Sequence, residues 1–106
     1  MTDADLLVLT KANLEIYPGN TMHDHYLAAL TTVAKTEIAR EGITLNLDDY
    51  GDCNLVVMYT AYLFRKRASD GAGVNYSTTA TMSVGMPRML RYALNNRLFS
   101  EKMKEA

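Results

Sequence analysis

The stretch that most limits the possible folds is a nearly uncharged segment between two strongly helical patterns. From Asp70 to Gly85, sixteen residues rich in Ser, Thr and Gly carry one charge, that of Asp70. A connection longer than about 12–15 residues is uncommon inside a compact domain unless it is functional or disordered. We therefore expect this segment either to move freely or to have a partner.

Apolar and polar residues alternate along this segment, which is the pattern of a β-strand. A single strand cannot satisfy its own backbone groups, and no other strong strand is predicted in the chain. We therefore predict an extended arm over residues 69–85 that pairs with a neighbouring copy or another protein. Its predicted contact residues are Tyr76, Met82 and Val84. The alternative is a polar loop whose alternation has no structural meaning.

Length, charge and composition predict one small domain that spans residues 1–106. The net charge is −1, which argues against a protein held to nucleic acid or membrane mainly by its charge. No apolar run approaches the roughly 18 residues of a membrane span. The first five residues are acidic where a signal peptide is basic, so we expect no export signal and synthesis in a cytoplasm. With one cysteine, Cys53, no intrachain disulfide can form.

Helical periodicity predicts an all-α fold, a small bundle of about four helices with the long segment 69–85 before the last one. The predicted helices are Lys11–Ile16 capped by Thr10, Met22–Glu41 capped by Thr21 and ended by Gly42, roughly Asp49–Ala68, and a last helix opened by Met86-Pro87. Between the second and third, Ile43–Leu47 should be extended, with its apolar side chains inward. The predicted core consists of Tyr26, Leu30, Val33, Ile38, Leu55, Met58, Tyr62, Leu90 and Leu94.

Two helices appear more apolar than a four-helix monomer needs. The third is apolar around nearly its whole circumference, so we expect part of it to meet another chain. The last has one stripe toward the core and a second spaced 3-4-3-4, the spacing of a helix-packing seam. The second stripe comprises Met89, Tyr92, Asn96, Phe99 and Met103. We predict that its apolar members contact a neighbour, although both stripes could fit one broad core.

Nothing in the chain predicts catalysis, a metal or a cofactor. His23 and His25 are two residues apart on a helix, so their side chains point in nearly opposite directions and cannot share an ion. The acidic run Asp48–Asp52 lacks the ligand pattern of a calcium loop, and helix capping explains it better. Cys53 has no histidine placed by a motif and is interpreted as a core residue. We therefore predict no enzyme.

The order of elements resembles the small head–tail connector proteins of tailed bacteriophages and prophages. The resemblance covers Leu9 to about Ser100 and is strongest at "AYLFRKR", residues 61–67, and "MPRMLRYALNNRL", residues 86–98. It implies an all-α subunit that assembles as a ring at the portal vertex of the virion. There it would join the portal protein to the next adaptor or tail-completion protein, with DNA passing through the lumen.

The residues leave two other classes open. One is a small helical DNA-binding module, such as a phage regulator or a packaging recognition subunit, using Arg88, Arg91 and Arg97. These cations make a thin basic face, because Arg97 lies opposite Arg88 on the helix. The other is a helical scaffold or chaperone domain that binds a peptide on the striped helix. In the connector interpretation, Arg88 and Arg91 face an acidic partner surface or water.

Overall fold

The structure, a computed structural model, describes residues 1–71 and 86–105. These residues form four α-helices and no strand, which confirms the all-α prediction. The helices are α1 (Asp3–Asn13), α2 (Asp24–Arg40), α3 (Tyr50–Gly71) and α4 (Arg88–Glu105). The predicted contact residues Tyr76, Met82 and Val84 lie outside the described residues. Among the described helices, none combines the length and apolar character that crossing a bilayer requires.

The first helix begins eight residues before its predicted start. Thr2 caps it, because its hydroxyl accepts the N–H of Asp5 while the Asp5 carboxylate accepts the N–H of Thr2. This is a reciprocal capping box with Asp in place of Glu. The predicted cap Thr10 instead lies buried inside α1 and donates its hydroxyl to the Leu6 carbonyl at 2.7 Å. The prediction of a helix over Lys11–Ile16 was wrong, since the cap is at Thr2.

The second helix was predicted well in extent but not in its buried face. It ends before Gly42, whose φ of +100° is the left-handed conformation that glycine adopts readily. Its start differs, because the N-cap is His23 without a side-chain hydrogen bond and Thr21 does not cap it. The buried face consists of Leu27, Leu30, Thr31, Ala34 and Ile38.

Two predicted core residues of α2 are therefore exposed. Tyr26 is 40% exposed and Val33 is 44% exposed. At about 100° per residue, both lie roughly 100–120° from the centre of the buried face. Thr31 takes the place nearer that centre, because its hydroxyl donates to the Leu27 carbonyl at 2.9 Å and can be buried without an unsatisfied donor.

The third helix is central to the bundle and contacts each of the other three. It begins after the segment predicted to be extended, residues 43–47, which has neither helix nor strand and enters a turn at Leu47. Ile43 is buried there and Leu45 and Leu47 pack against the core, so the inward direction of these side chains is confirmed. From Leu55 to Phe64 the apolar side chains of α3 are all buried or half-buried within the chain, including the predicted core residues Met58 and Tyr62. This part of α3 is covered by α1, α2 and α4, whereas Tyr50 in its first turn is 79% exposed. A contact of α3 with another chain stays a prediction.

The fourth helix packs mainly on α3 and on the extended segment. Its first residue is Arg88, and the Pro87 carbonyl accepts the N–H of Arg91 at 3.0 Å, so proline lies at the helix entrance as predicted. Leu90 and Leu94 are fully buried, and Ala93 and Leu98 pack against the same core. The predicted core stripe of the last helix is confirmed.

Candidate functional site on the last helix

The second stripe of α4 lies on the solvent side of the helix. Met89, Tyr92, Phe99 and Met103 are each more than half exposed, and the intervening Asn96 is also exposed. At about 100° per residue, the centre of this stripe is nearly opposite Leu90 and Leu94. In the single chain the two stripes thus do not share one broad core. Contiguous exposed apolar surface of this kind usually marks a binding surface.

A buried ion pair fixes α4 in place beneath the stripe. The guanidinium of Arg97 donates from Nε to Oδ1 of Asp52 at 2.7 Å and from Nη2 to Oδ2 at 3.3 Å. The Asp52 side chain is 3% exposed and that of Arg97 is 16% exposed. Such a bidentate pair constrains direction as well as distance. It joins the first turn of α3 to the middle of α4.

The same arginine also holds the extended segment between α2 and α3. Its Nη2 donates to the Thr44 carbonyl at 2.7 Å, and its Nη1 donates to Oε2 of Glu101 at 2.9 Å. Glu101 in turn accepts the N–H of Thr44 at 3.3 Å, and Asp52 accepts the N–H of Asn46 at 2.8 Å. We call these five residues, Thr44, Asn46, Asp52, Arg97 and Glu101, the arginine clamp.

The clamp changes the pKa values of Arg97 and Glu101. Hydrogen bonds to Asp52 and then to Glu101 raise the pKa of Arg97 still further above its already high usual value. The hydrogen bond from Arg97, followed by the bond from Thr44, lowers the pKa of Glu101. Both of these groups are therefore charged at neutral pH.

The other predicted cations of α4 have different surroundings. Arg91 is partly exposed and donates to Oε1 of Glu41 at 3.1 Å, so it has an acidic partner within its own chain. Arg88 is exposed at the start of the helix. Both were predicted to face an acidic partner surface or water. In the structure Arg91 pairs with Glu41, and Arg88 is exposed.

The arginine clamp was missed at the sequence level. Asp52 was interpreted as negative charge at a helix start, and Arg97 as part of a thin basic face. One signal was present, because Arg97 follows Leu94 by three residues and Leu90 by seven, which places it on the core face. Its partner could not be identified, since Asp52 lies 45 residues away along the chain.

The remaining candidate residues are the two histidines, Arg67 of α3 and Cys53. His23 packs against Phe64 with ring centroids 5.1 Å apart, and the guanidinium of Arg67 lies 4.6 Å from the same ring. His25 is exposed. Cys53 is buried, as predicted. Within residues 1–71 and 86–105, no three His, Cys, Asp or Glu side chains could hold a metal ion.

Comparison of the chain with protein-family models, with curated proteins and with solved structures finds no match. The functional interpretation therefore depends on the residues and the geometry described above. Its central feature is an apolar stripe on one helix whose opposite side is fixed by a buried ion pair.

Proposed function

We propose that this chain is a structural subunit of the head–tail connector of a tailed bacteriophage or prophage. Copies of it would form a ring at the portal vertex of the virion. One side of the ring would meet the portal protein and the other the next adaptor or tail-completion protein. DNA would pass through the lumen without sequence-specific binding. In this proposal the chain has no catalytic role.

The exposed stripe of α4 is the observation that carries the proposal. Monomeric proteins rarely expose a contiguous group of large apolar side chains, and α4 exposes two aromatic and two methionine side chains on its solvent side. Aromatic residues and methionine are enriched in protein interfaces. The phage context comes from the resemblance of residues 61–67 and 86–98 to connector proteins, and α4 contains most of the second motif.

The arginine clamp supports a mechanical role for the stripe. A joint between protein rings has to hold its contact surface in a fixed orientation. Packing of Leu90 and Leu94 fixes one part of α4, and the pair of Arg97 with Asp52 fixes the middle. The interface helix is thereby preorganised, which lowers the entropic cost of assembly.

The DNA-binding alternative receives less support from the same residues. It needs several cations on one accessible face of α4. Arg97 is bound to Asp52, Glu101 and Thr44, and Arg91 is paired with Glu41. Arg88 alone of the three predicted contacts is both exposed and outside these pairs. The chain's net charge of −1 also disfavours strong attraction to phosphates.

Native mass spectrometry and negative-stain imaging of the purified chain test the proposal, with and without the portal protein of the phage or prophage that encodes it. We expect ring particles and a complex with the portal protein. The double variant Tyr92→Ser/Phe99→Ser should lose the assembled mass while keeping its helical circular dichroism signal. The variant Met22→Ser, which removes an exposed methionine near the start of α2, is the matched control and should assemble normally.

Two results would contradict the connector proposal. One is a chain that neither forms rings nor binds the portal protein at any concentration tested. The other is salt-dependent binding to duplex DNA with an affinity that depends on Arg88, because that result would favour the DNA-binding class.

A further inference from the structure

A second exposed apolar surface lies where α1 passes the start of α3. Val8 and Tyr50 are 63% and 79% exposed, and Leu9 is partly exposed beside them. Together with the carboxylates of Asp5 and Asp48, they line a groove of about 480 Å³. We call these five residues the acidic groove.

The groove carries two accessible carboxylates and the terminal ammonium of Met1, so its charge is negative overall. Hydrogen bonds from the backbone and the hydroxyl of Thr2 lower the pKa of Asp5, which is therefore ionised at neutral pH. The Asp48 side chain is almost fully exposed, and its Oδ1 lies 4.0 Å from the terminal ammonium of Met1. Apolar side chains between two carboxylates suit an apolar stripe that carries cations along its edge.

The stripe of α4 has such an edge. Arg88 and Lys102 are both exposed and are separated by fourteen positions, or four turns, so they lie along the same border of the stripe. On the opposite border Ala93 and Ser100 are uncharged, and Lys104 follows in the same register near the end of the helix. The stripe is thus apolar in the middle, with Arg88 and Lys102 along one border.

We propose that the α4 stripe of one copy docks in the acidic groove of a second copy of this chain. The inference rests on the proposed function, because it identifies the contact by which the ring's subunits join. The two surfaces belong to different helices of each subunit, so after a contact has formed one copy still has a free groove and the other a free stripe. Contacts of this head-to-tail kind propagate and close into rings when the rotation allows.

Charge decides against the simpler alternative in which two α4 stripes pair with each other. In an antiparallel pair, Arg88 of one copy would lie near Lys102 of the other, and like charges at a seam are destabilising. In a parallel pair, the same cations would face the border formed by Ala93 and Ser100. Neither arrangement supplies the carboxylates that the acidic groove supplies.

Complementation between two variants tests the docking directly. A stripe variant, Tyr92→Ser/Phe99→Ser, keeps its groove, and a groove variant, Val8→Ser/Tyr50→Ser, keeps its stripe. Each alone should be monomeric in sedimentation velocity, whereas an equimolar mixture should form dimers that do not grow further. Met22→Ser is again the control and should assemble like the unaltered chain.

Cysteine cross-linking gives an independent readout. Phe99→Cys and Val8→Cys place thiols on the two surfaces, while the native Cys53 is buried. Under mild oxidation, the mixture of the two variants should form a disulfide-linked dimer and neither variant alone should do so. Cross-linking of Phe99→Cys to itself would overturn the proposal and indicate pairing between stripes.

Charge-reversal variants distinguish the proposed docking from nonspecific apolar association. Lys102→Asp and Asp48→Lys should each weaken self-association by about fivefold. In an equimolar mixture of the two single variants, both contacts between unlike copies pair opposite charges, so the mixture should assemble more tightly than either variant alone. The chain that carries both reversals should recover the original affinity. Absence of recovery, or normal assembly of the groove variant, would overturn the docking.

The outcomes also distinguish this inference from the proposed function. Rings that persist in the groove variant would remove the docking and leave the connector proposal intact. Head-to-tail assembly that depends on both surfaces, in a chain that does not bind the portal protein, would remove the connector proposal and leave the docking intact.

Discussion

Arg97 shows how much one side chain can organise in a chain of this size. All three guanidinium nitrogens donate hydrogen bonds, and their acceptors come from the extended segment, from α3 and from α4 itself. A charge this far from water is stable only while its partners remain, because an unpaired buried ion loses its hydration without compensation. The integrity of the α3–α4 contact therefore depends on Asp52.

We predict that Asp52→Ala lowers the free energy of unfolding by about 3–5 kcal/mol, as is usual when one partner of a buried pair is removed. Urea denaturation followed by circular dichroism measures the change. Glu37→Ala is the control, because Glu37 pairs with Arg40 at 2.9 Å on the surface of α2, where such pairs contribute about 0–1 kcal/mol. Equal effects of both substitutions would show that the clamp has no special role.

Two glycines should respond to alanine in opposite directions. Gly42 has φ of +100°, and an added Cβ would lie 3.3 Å from Cδ1 of Leu98, so we expect Gly42→Ala to destabilise by about 1–3 kcal/mol. Gly51 lies in the first turn of α3 and a Cβ there would meet only Asp49 at ordinary distance. Gly51→Ala should therefore stabilise by about 0.5–1 kcal/mol. Thermal denaturation of the two variants checks both signs.

At the scale of the helix, the two opposite faces of α4 should differ in what they contribute to the stability of the chain. Leu94→Ala should cost about 2–5 kcal/mol of unfolding free energy, because Leu94 is fully buried. Phe99→Ser should change it by less than about 1 kcal/mol, since Phe99 is mostly exposed. Denaturation of the two variants at a concentration where the chain is monomeric makes the comparison. A large loss in Phe99→Ser would mean that the stripe belongs to the core.

The attachment of α4 should also depend on pH through Glu101. Its pKa is lowered in the folded chain by the hydrogen bonds from Arg97 and Thr44. A lowered folded-state pKa contributes stability above the ordinary value of about 4.5, and this contribution is lost as the pH falls through the folded-state pKa. Glu101→Gln should therefore be less stable than the unaltered chain at pH 7, and the difference should shrink in acid. A difference that stays constant with pH would contradict this assignment.

The type of each element was easier to predict from the sequence than where each helix begins or which of its faces is buried. Gly42 signals the end of α2 because its conformational freedom is a local property, and the alternation in residues 43–47 is local too. Tyr26 and Val33 were wrongly assigned to the core because the apolar residues of α2 span a wider arc of the helix than α1 and α3 cover. The clamp joins residues 45 positions apart, so it depends on the packing of α4 and not on any local pattern.

For the whole molecule, the grouping of exposed apolar side chains on α4 supports the proposed assembly more strongly than the total number of apolar residues does. Apart from Tyr50, the described apolar side chains of α3 are buried or half-buried within the chain, so the exposed apolar stripe lies on α4 and not on α3. The residues of the candidate stripe could be predicted because they repeat at 3-4-3-4 spacing along a single helix. The acidic groove could not, since it arises only where α1 crosses the start of α3.

The nearly balanced charge of the chain has a practical consequence for anyone who purifies it. With a net charge of −1, long-range repulsion between molecules is weak, and the aromatic and methionine side chains that face water on α4 favour apolar contacts with other molecules at short range. We expect a negative second osmotic virial coefficient for the unaltered chain and a value near or above zero for Tyr92→Ser/Phe99→Ser, measured by static light scattering. The shelf life of a concentrated stock would then be set by one side of one helix.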